Sequence, residues 1–123
     1  MIISIDVNSD EAFYLQIRNQ VILAIATDEL KQGEYLPSVR DLAETIGINM
    51  HTVHKAYGLL KEEGYLQLDR RRGAVIAVNV DELRTQAIFL QELKFLIARG
   101  ICKGMSRDKF HQMVDIVCDD FGI

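Results

Sequence analysis

The chain has 123 residues, of which 49% are hydrophobic and 26% are charged, a balance typical of a folded globular protein rather than a disordered one. Its formal net charge of −4 at pH 7 argues against a chain that attracts nucleic acid by its overall charge. No apolar run approaches the roughly 20 residues of a membrane span, and no basic leader with an apolar run begins the chain. We therefore expect a cytoplasmic protein without membrane contacts.

The sequence patterns of enzymes and metal proteins are missing. There is no Ser/His/Asp arrangement and no glycine-rich phosphate loop. His51 and His54 have helical spacing, but no third ligand is near them in the sequence. Cys102 and Cys118 are separated by 15 residues, which is not a metal-binding spacing, so we expect two reduced thiols that pack as small hydrophobic groups. The sequence thus predicts no catalytic residue, no metal and no cofactor.

The first part of the chain predicts a short extended segment and one helix. Alternating apolar residues within the first seven positions fit either a short strand or an extended arm. Ser9 or Asp10 is expected to cap the helix, and Gly33 is expected to end it. The apolar residues with helical spacing are Tyr14, Ile17, Val21, Ala24 and Ile25.

The next part predicts two short helices joined by a tight turn. Ser38 with Asp41 resembles a capping box and starts the first of these helices, and Gly47 is suited to end it in a left-handed conformation. Asn49 is expected to cap the second helix, and Gly64 to end it. The predicted buried residues are Val39, Leu42, Ala43 and Ile46 in the first helix, and Val53, Ala56, Tyr57 and Leu60 in the second.

Two short strands follow, joined by a basic turn. Residues 66–68 and 75–78 have the composition of strands, and the turn Asp69–Gly73 between them contains three consecutive arginines. A helix-turn-helix followed by such a hairpin is the pattern of a winged helix. Five of the eight basic residues in positions 1–80 lie in this region, which offsets the acidic total locally: Arg40, Lys55, Arg70, Arg71 and Arg72.

Residues 81–123 predict two apolar helices. Asp81 can cap a helix that runs to about Ala98, Gly100 and Gly104 suggest a break, and Ser106 can cap the last helix. Both helices are apolar on more faces than a solitary surface helix allows, so they must pack on the first domain, on a second copy of the chain, or on both. A symmetric dimer is the simplest arrangement. The residues expected to dimerise are Leu83, Ala87, Leu90, Leu93, Ile97, Phe110, Met113, Val114 and Val117.

The predicted fold is therefore mainly α with a small β-wing. Residues 1–80 would form a winged helix-turn-helix domain that binds DNA, and residues 81–123 a C-terminal helical hairpin that dimerises the protein.

The chain closely resembles the GntR family of bacterial transcription regulators over about 65 residues. The matching positions are Phe13 to Ile17, Gly33 to Ala43 (GEYLPSVRDLA), Gly47, Thr52-Val53, Ala56-Tyr57, Leu60, Glu63-Gly64 and Gly73. The short two-helix tail and the string Thr52 to Tyr57 are similar to the YtrA-type subfamily, whose tails dimerise the protein and form no large effector domain. This chain departs from the family at three positions. Family members often have Ser or Thr where this chain has Asn49, and Arg or Pro where it has Met50. They often have Arg where this chain has His54. Its wing reads Arg72-Gly73-Ala74-Val75 where the family often has R-G-T-F.

The resemblance implies a homodimeric transcription regulator, most simply a repressor, that binds a two-fold double-stranded DNA operator. Control of a transporter operon is an expectation from the subfamily. A small-molecule effector at the dimer interface or between domain and tail is compatible with this, but the sequence identifies none. The alternative is a winged-helix module that binds protein and lacks specific DNA binding, which the acidic balance favours.

The residues expected to contact DNA lie at the start of each helix of the motif and in the wing. A helix N-terminus and basic side chains suit phosphates, whereas His51 can donate to a base acceptor and Met50 can touch a thymine methyl group. By resemblance, Arg40 contacts a phosphate or a guanine edge. The predicted contacts are Ser38, Arg40, Asn49, Met50, His51, Thr52, His54, Lys55, Arg70, Arg71, Arg72 and Gly73.

Several of these assignments have a simpler alternative. Arg40 can form a surface salt bridge with Asp41 or Glu44, and Asn49 can serve only as a helix cap. Met50 can be a partly buried filler, and the arginine run can be a solvated hairpin tip. Tyr57 and Tyr65 are expected in the core rather than on a stacking surface.

Overall fold

The computed structural model describes residues 2–123 and divides them into two compact units, one that extends to Asn79 and one that comprises Val80–Ile123. Residues 2–123 form five helices and one two-stranded antiparallel sheet, which confirms the predicted mainly α fold with a β-wing. The elements are α1 (Phe13–Ala26), α2 (Val39–Ile46), α3 (Met50–Glu62), β1 (Leu66–Asp69), β2 (Gly73–Ile76), α4 (Glu82–Cys102) and α5 (Arg107–Phe121).

Both predicted ends of α1 were wrong. Ala12 occupies the N-cap position, and the Ser9 hydroxyl instead accepts a hydrogen bond of 3.1 Å from the backbone N–H of Glu11, within the preceding turn. The helix ends at Ala26, well before Gly33, which donates a backbone hydrogen bond of 2.8 Å to Ile76. Gly33 thus belongs to the sheet region and not to the helix terminus.

The segment before α1 is an extended arm, because residues 2–6 form no strand in the structure; Met1, the first residue of the predicted segment, lies outside the described residues. Two glutamines of α1 hold the arm. The Gln20 side-chain amide bonds both the N–H and the carbonyl oxygen of Ser4, at 3.0 and 2.7 Å, and Gln16 does the same with Asp6, at 2.8 and 3.1 Å. These bonds satisfy the arm's backbone groups as a neighbouring strand would.

Helices α2 and α3 begin and end as predicted. The Ser38 hydroxyl accepts from the N–H of Asp41 at 3.0 Å, and the Asn49 side chain accepts from the N–H of His51 at 2.8 Å. Gly47 has a φ of 71°, a left-handed conformation that glycine adopts without strain, so the chain can turn sharply between the helices. Helix α3 packs against α1, α2 and β1 and is therefore the central element of the first unit.

The wing strands pair with Leu66 opposite Ile76 and Asp69 opposite Gly73. Strand β2 therefore begins two residues earlier than predicted, and the loop shortens to the three residues Arg70–Arg72. A further extended segment was missed in the sequence. Tyr35 forms an antiparallel bridge with Val75, flanked by a hydrogen bond of 2.8 Å from Leu36 to Ala74. The wing is thus tied to the start of the helix-turn-helix.

A single core fills the first unit. It consists of apolar side chains that are at most 7% exposed, supplied by every helix and strand of the unit as well as by the arm. Its members are Ile3, Ile17, Val21, Ala24, Leu30, Leu36, Leu42, Ala43, Val53, Ala56, Tyr57, Leu60, Leu66, Ala74 and Ile76.

The second unit is a pair of helices. Asp81 and Ser106 cap α4 and α5 as predicted, with side-chain acceptors for the N–H groups of Arg84 and Lys109. Helix α4 continues to Cys102, past the predicted end at Ala98. Gly100 lies within it, so the prediction of a break at this glycine was wrong. A Cβ atom at Gly100 would lie only 2.2 Å from the Phe110 ring, so this glycine allows α4 and α5 to approach closely.

Candidate nucleic-acid interface

The first turn of α3 projects polar and apolar side chains into solvent. His51 and His54 are exposed, Met50 is 45% exposed, and Thr52 is half-buried. The partial exposure of Met50 fits a contact with a base as well as the alternative of a partly buried filler. These side chains present hydrogen-bond donors and acceptors beside a thioether, which is the combination needed to read base edges in a major groove.

The start of α2 borders the same surface. Val39, the first residue of α2, lines a shallow groove together with Asn49, Met50, His51 and His54. Ser38 and Arg40, the neighbours of Val39 in the chain, are both exposed. Within residues 2–123, no carboxylate oxygen lies within 4.0 Å of the Arg40 guanidinium, so the proposed salt bridge to Asp41 or Glu44 is not formed. Arg40 is thus an exposed cation in the first turn of α2 whose charge no ion pair neutralises.

A second groove lies on the other side of α3, towards α1. It is lined by residues from the start of both helices: Ala12, Phe13, Tyr14, His51, Thr52 and Lys55. The ammonium group of Lys55 lies over the ring of Tyr14, 4.0 Å from its centroid, in a cation–π contact. The sequence singled out both residues, but it gave no sign that they meet.

The wing loop carries three consecutive exposed arginines, Arg70–Arg72, between the paired ends of β1 and β2. A side-chain oxygen of Asp69 accepts a hydrogen bond of 2.8 Å from the N–H of Arg71, which fixes the first part of the turn. Gly73 closes the loop with a φ of 92°, a conformation that residues with a Cβ atom rarely adopt. The hairpin therefore holds its three cations at a compact, exposed tip.

Tyr57, in α3, and Tyr65, just before β1, pack in or against the core, as expected. Tyr57 is 3% exposed, and its hydroxyl donates a hydrogen bond of 2.8 Å to the carbonyl oxygen of Pro37. Burial raises the pKa of the Tyr57 hydroxyl well above its usual value near 10, because the charged form would lose its hydration. Tyr65 is half-buried against the core. The Tyr57 ring is therefore not available as a stacking surface.

Among residues 2–123, no three His, Cys, Asp or Glu side chains form a group that could hold a metal ion. Cys102 and Cys118 are free thiols. In the same residues, no helix combines the length and apolar character that crossing a membrane requires.

The second unit exposes a large apolar surface. One groove between α4 and α5 is lined by Leu93, Leu96, Ile97, Phe110, His111, Met113, Val114, Val117 and Cys118. Among the residues predicted to dimerise, Leu90, Val114 and Val117 are each more than half exposed, whereas Phe110 is half-buried against Gly100 of its own hairpin. The groove brings together five of the predicted residues besides Phe110: Leu93, Ile97, Met113, Val114 and Val117.

A family model described as bacterial regulatory proteins, gntR family, matches residues 13–76, which include α1, the helix-turn-helix and the wing. The chain belongs to the gntR family. Over 121 residues it is 33% identical to the HTH-type transcriptional repressor YtrA of Bacillus subtilis, a match that covers 96% of this chain and 93% of that protein. The resemblance found in the sequence is thereby confirmed.

Solved structures of other regulators are similar to this gntR-family chain. A transcriptional antiterminator from Listeria monocytogenes EGD-e superimposes with a TM-score of 0.86 at 27% identity, covering 98% of this chain and 92% of that one. YtrA from Sulfolobus acidocaldarius, a GntR-family transcription factor, is 40% identical with a TM-score of 0.63, covering 76% of this chain and 99% of that one. The chain is therefore a transcriptional regulator with a gntR-type DNA-binding domain, and not an enzyme.

Proposed function

We propose that this regulator is a homodimeric repressor that binds a two-fold operator in the cytoplasm, with the recognition helix α3 in the major groove and the wing against the DNA backbone. The observation that carries this proposal is the exposure of four cations within the motif: Arg40 in the first turn of α2, and Arg70–Arg72 in the wing loop. Phosphate contacts are local, so these cations can act despite the net charge of −4.

In this proposal, the residues divide into two kinds of contact. Met50, His51 and His54 reach base edges from the exposed first turns of α3, because side chains at this end of a recognition helix meet the floor of the major groove. The remaining predicted residues bind phosphates and fix the register of the protein on the duplex. These are Ser38, Arg40, Asn49, Thr52, Lys55, Arg70, Arg71, Arg72 and Gly73.

The proposed dimer is supported by the exposed apolar residues of the C-terminal hairpin. Leu83 is 83% exposed, Phe89 is 54% exposed and Val114 is 55% exposed, and such a surface on a monomer is unfavourable in water. A two-fold dimer through this hairpin would cover these side chains and give the protein the symmetry of a palindromic operator, with half-sites about one helical turn apart.

The sign of regulation and the target are also part of the proposal. The full-length relative from Bacillus subtilis is a transcriptional repressor, which supports repression here. Control of a transporter operon follows from the similarity to the YtrA-type subfamily. A small-molecule effector is compatible with this arrangement, and its chemistry is left open.

The proposal is tested by a fluorescence-anisotropy titration with the duplex that lies upstream of the gene encoding this chain, against a scrambled duplex as competitor, at two salt concentrations. We expect selective binding that weakens steeply with salt, because each neutralised phosphate releases a counterion. Arg40→Ala and Arg72→Ala should each weaken binding about tenfold, a typical loss for one charged contact. Lys61→Ala removes an exposed cation from the last turn of α3 and should leave binding unchanged.

The proposal would be contradicted if the protein bound the two duplexes with equal affinity and both arginine variants bound DNA as tightly as the wild type. That result would favour the alternative of a winged helix that binds a protein partner, which the acidic composition also suits.

A further inference from the structure

The contact between Tyr14 and Lys55 joins the core of the first unit to its proposed DNA-binding surface. Tyr14 is half-buried and packs against the core, so the position of its ring is fixed. Lys55 is exposed on α3 and holds its ammonium nitrogen 4.0 Å from the centroid of that ring. Within the described residues, no carboxylate lies within 4.0 Å of Lys55, so its charge is not neutralised by an ion pair.

We propose that Tyr14 is a positioning residue, which holds the Lys55 ammonium at the edge of the recognition surface for contact with a DNA phosphodiester. This inference rests on the proposed function and deepens it. Lys55 lies one helical turn after His51 and lines the same groove as His51 and Thr52. Its charge is therefore aimed at the flank of the recognition helix, where the backbone of a duplex in contact with α3 would run.

The physical reason is the flexibility of lysine. A free lysine has four rotatable side-chain bonds, and a phosphate contact must restrict most of them at an entropic cost. A ring that already holds the ammonium group reduces this cost before DNA arrives. The ring face covers one side of the ammonium group, and the other side still has N–H donors for an anionic oxygen. Charge and geometry are thus compatible with both contacts at once.

The test is a double-mutant cycle in DNA binding, with Lys55→Met, Tyr14→Leu and the double variant. The probe is a random-sequence duplex titrated over a series of salt concentrations, because phosphate contacts do not depend on sequence. For Lys55→Met, we expect the slope of log affinity against log salt to fall by about 0.9, the value for one phosphate contact. Tyr14→Leu should weaken binding about threefold to fivefold when Lys55 is present and have no effect in the Lys55→Met background.

Two conservative variants separate this role from a purely structural one. Tyr14→Phe keeps the ring and should bind as the wild type does. Lys55→Arg keeps a cation that stacks on aromatic rings and should retain the salt slope. Thermal unfolding of every variant establishes that binding is measured on folded protein, and Tyr14→Met, which preserves side-chain volume, replaces Tyr14→Leu if the latter unfolds.

Three results would overturn the inference. Additive effects of Tyr14→Leu and Lys55→Met would mean that the ring acts independently of the lysine. An unchanged salt slope in Lys55→Met would mean that Lys55 contacts no phosphate, and tighter binding by Tyr14→Leu would mean that the ring withholds the lysine from DNA. Arg72→Ala, measured in the same experiment, separates failure of this inference from failure of the proposed function. If Arg72→Ala weakens DNA binding while the effects of Tyr14→Leu and Lys55→Met are additive, the proposed function stands and only the inference about Tyr14 fails.

Discussion

The Tyr57 hydroxyl of the recognition helix donates a hydrogen bond of 2.8 Å to the carbonyl oxygen of Pro37, in the turn before α2. The two residues are 20 positions apart, and the bond joins the body of α3 to the start of the helix-turn-helix. Because the tyrosine is buried, the bond is partly shielded from water and helps to orient the two helices relative to each other.

We expect Tyr57→Phe to lower the free energy of unfolding by about 1 kcal/mol, because the hydrogen bond to the carbonyl oxygen of Pro37 is lost. The effect should depend on pH. The unfolded tyrosine loses its proton near pH 10, whereas burial raises the pKa of the folded one, so above pH 10 the unfolded state binds fewer protons. The free energy of unfolding of the wild type should therefore fall above pH 10 by about 1.4 kcal/mol per pH unit relative to the variant.

Urea denaturation of both proteins between neutral pH and pH 11 measures this difference directly. The phenylalanine variant serves as the reference, since every other titrating group is common to the two proteins. Parallel pH profiles above pH 10 would show that Tyr57 ionises freely in the folded state and would contradict this prediction.

Two glycines within helices offer a matched pair of substitutions. Gly100→Ala places a Cβ atom 2.2 Å from the Phe110 ring, so we expect the C-terminal unit to lose about 1–3 kcal/mol of stability from overpacking. Gly58→Ala, within α3, meets open space within 4 Å among the described residues and should raise stability by about 0.5–1 kcal/mol, because alanine is the better helix former. Far-UV circular dichroism during urea denaturation measures both. Equal stability of the two variants would show that α4 and α5 do not approach closely at Gly100.

The local signals in the sequence predicted the helix-turn-helix well. Ser38, Gly47 and Asn49 determine where α2 and α3 begin and end, because a side-chain cap or a left-handed glycine acts on backbone groups within a few residues. The same holds for Asp81 and Ser106 in the second unit. The composition of the basic turn likewise identified the wing loop, although its exact length depended on strand register.

The predictions that were wrong, and the contact that the sequence did not reveal, involve interactions between distant parts of the chain. Ser9 was expected to cap α1, but the preceding arm is held instead by Gln16 and Gln20, whose partners lie 10 and 16 residues away. Gly33 is a plausible helix terminator, yet its N–H bonds Ile76 across the sheet. The pairing of Tyr14 with Lys55 has the same character, since only the packing of α1 against α3 brings the two side chains together.

Asn49 combines a structural role with a proposed DNA contact, and two substitutions separate them. Asn49→Ala removes the acceptor for the N–H of His51 and should cost about 1 kcal/mol of folding stability. Asn49→Asp retains a capping oxygen and should remain stable. It also places a negative charge beside the proposed phosphate path, which should weaken DNA binding at least about tenfold.

Ser106→Asp is the matched control, because it changes a capping residue in the same chemical way at the start of α5, in the other unit. We expect it to preserve both stability and DNA affinity. Unfolding curves of the three variants measure stability, and anisotropy titrations measure DNA affinity. If Asn49→Asp binds DNA as tightly as the wild type, Asn49 acts only as a helix cap.

The proposed dimer makes a sharp prediction for the C-terminal hairpin. Val114 is 55% exposed in an apolar groove, and Val114→Asp would place a carboxylate in the contact between two copies without disturbing the interior of either unit. We expect this variant to sediment as a monomer at concentrations where the wild type is a dimer, because a buried unpaired charge is costly. Its operator affinity should fall by about 100-fold, since two linked half-site contacts would become one.

Val7→Asp, at a 73% exposed valine of the first unit, introduces the same charge outside the hairpin and should change neither the sedimentation of the protein nor its operator affinity. Identical sedimentation of Val114→Asp and the wild type would show that these chains do not associate through this groove.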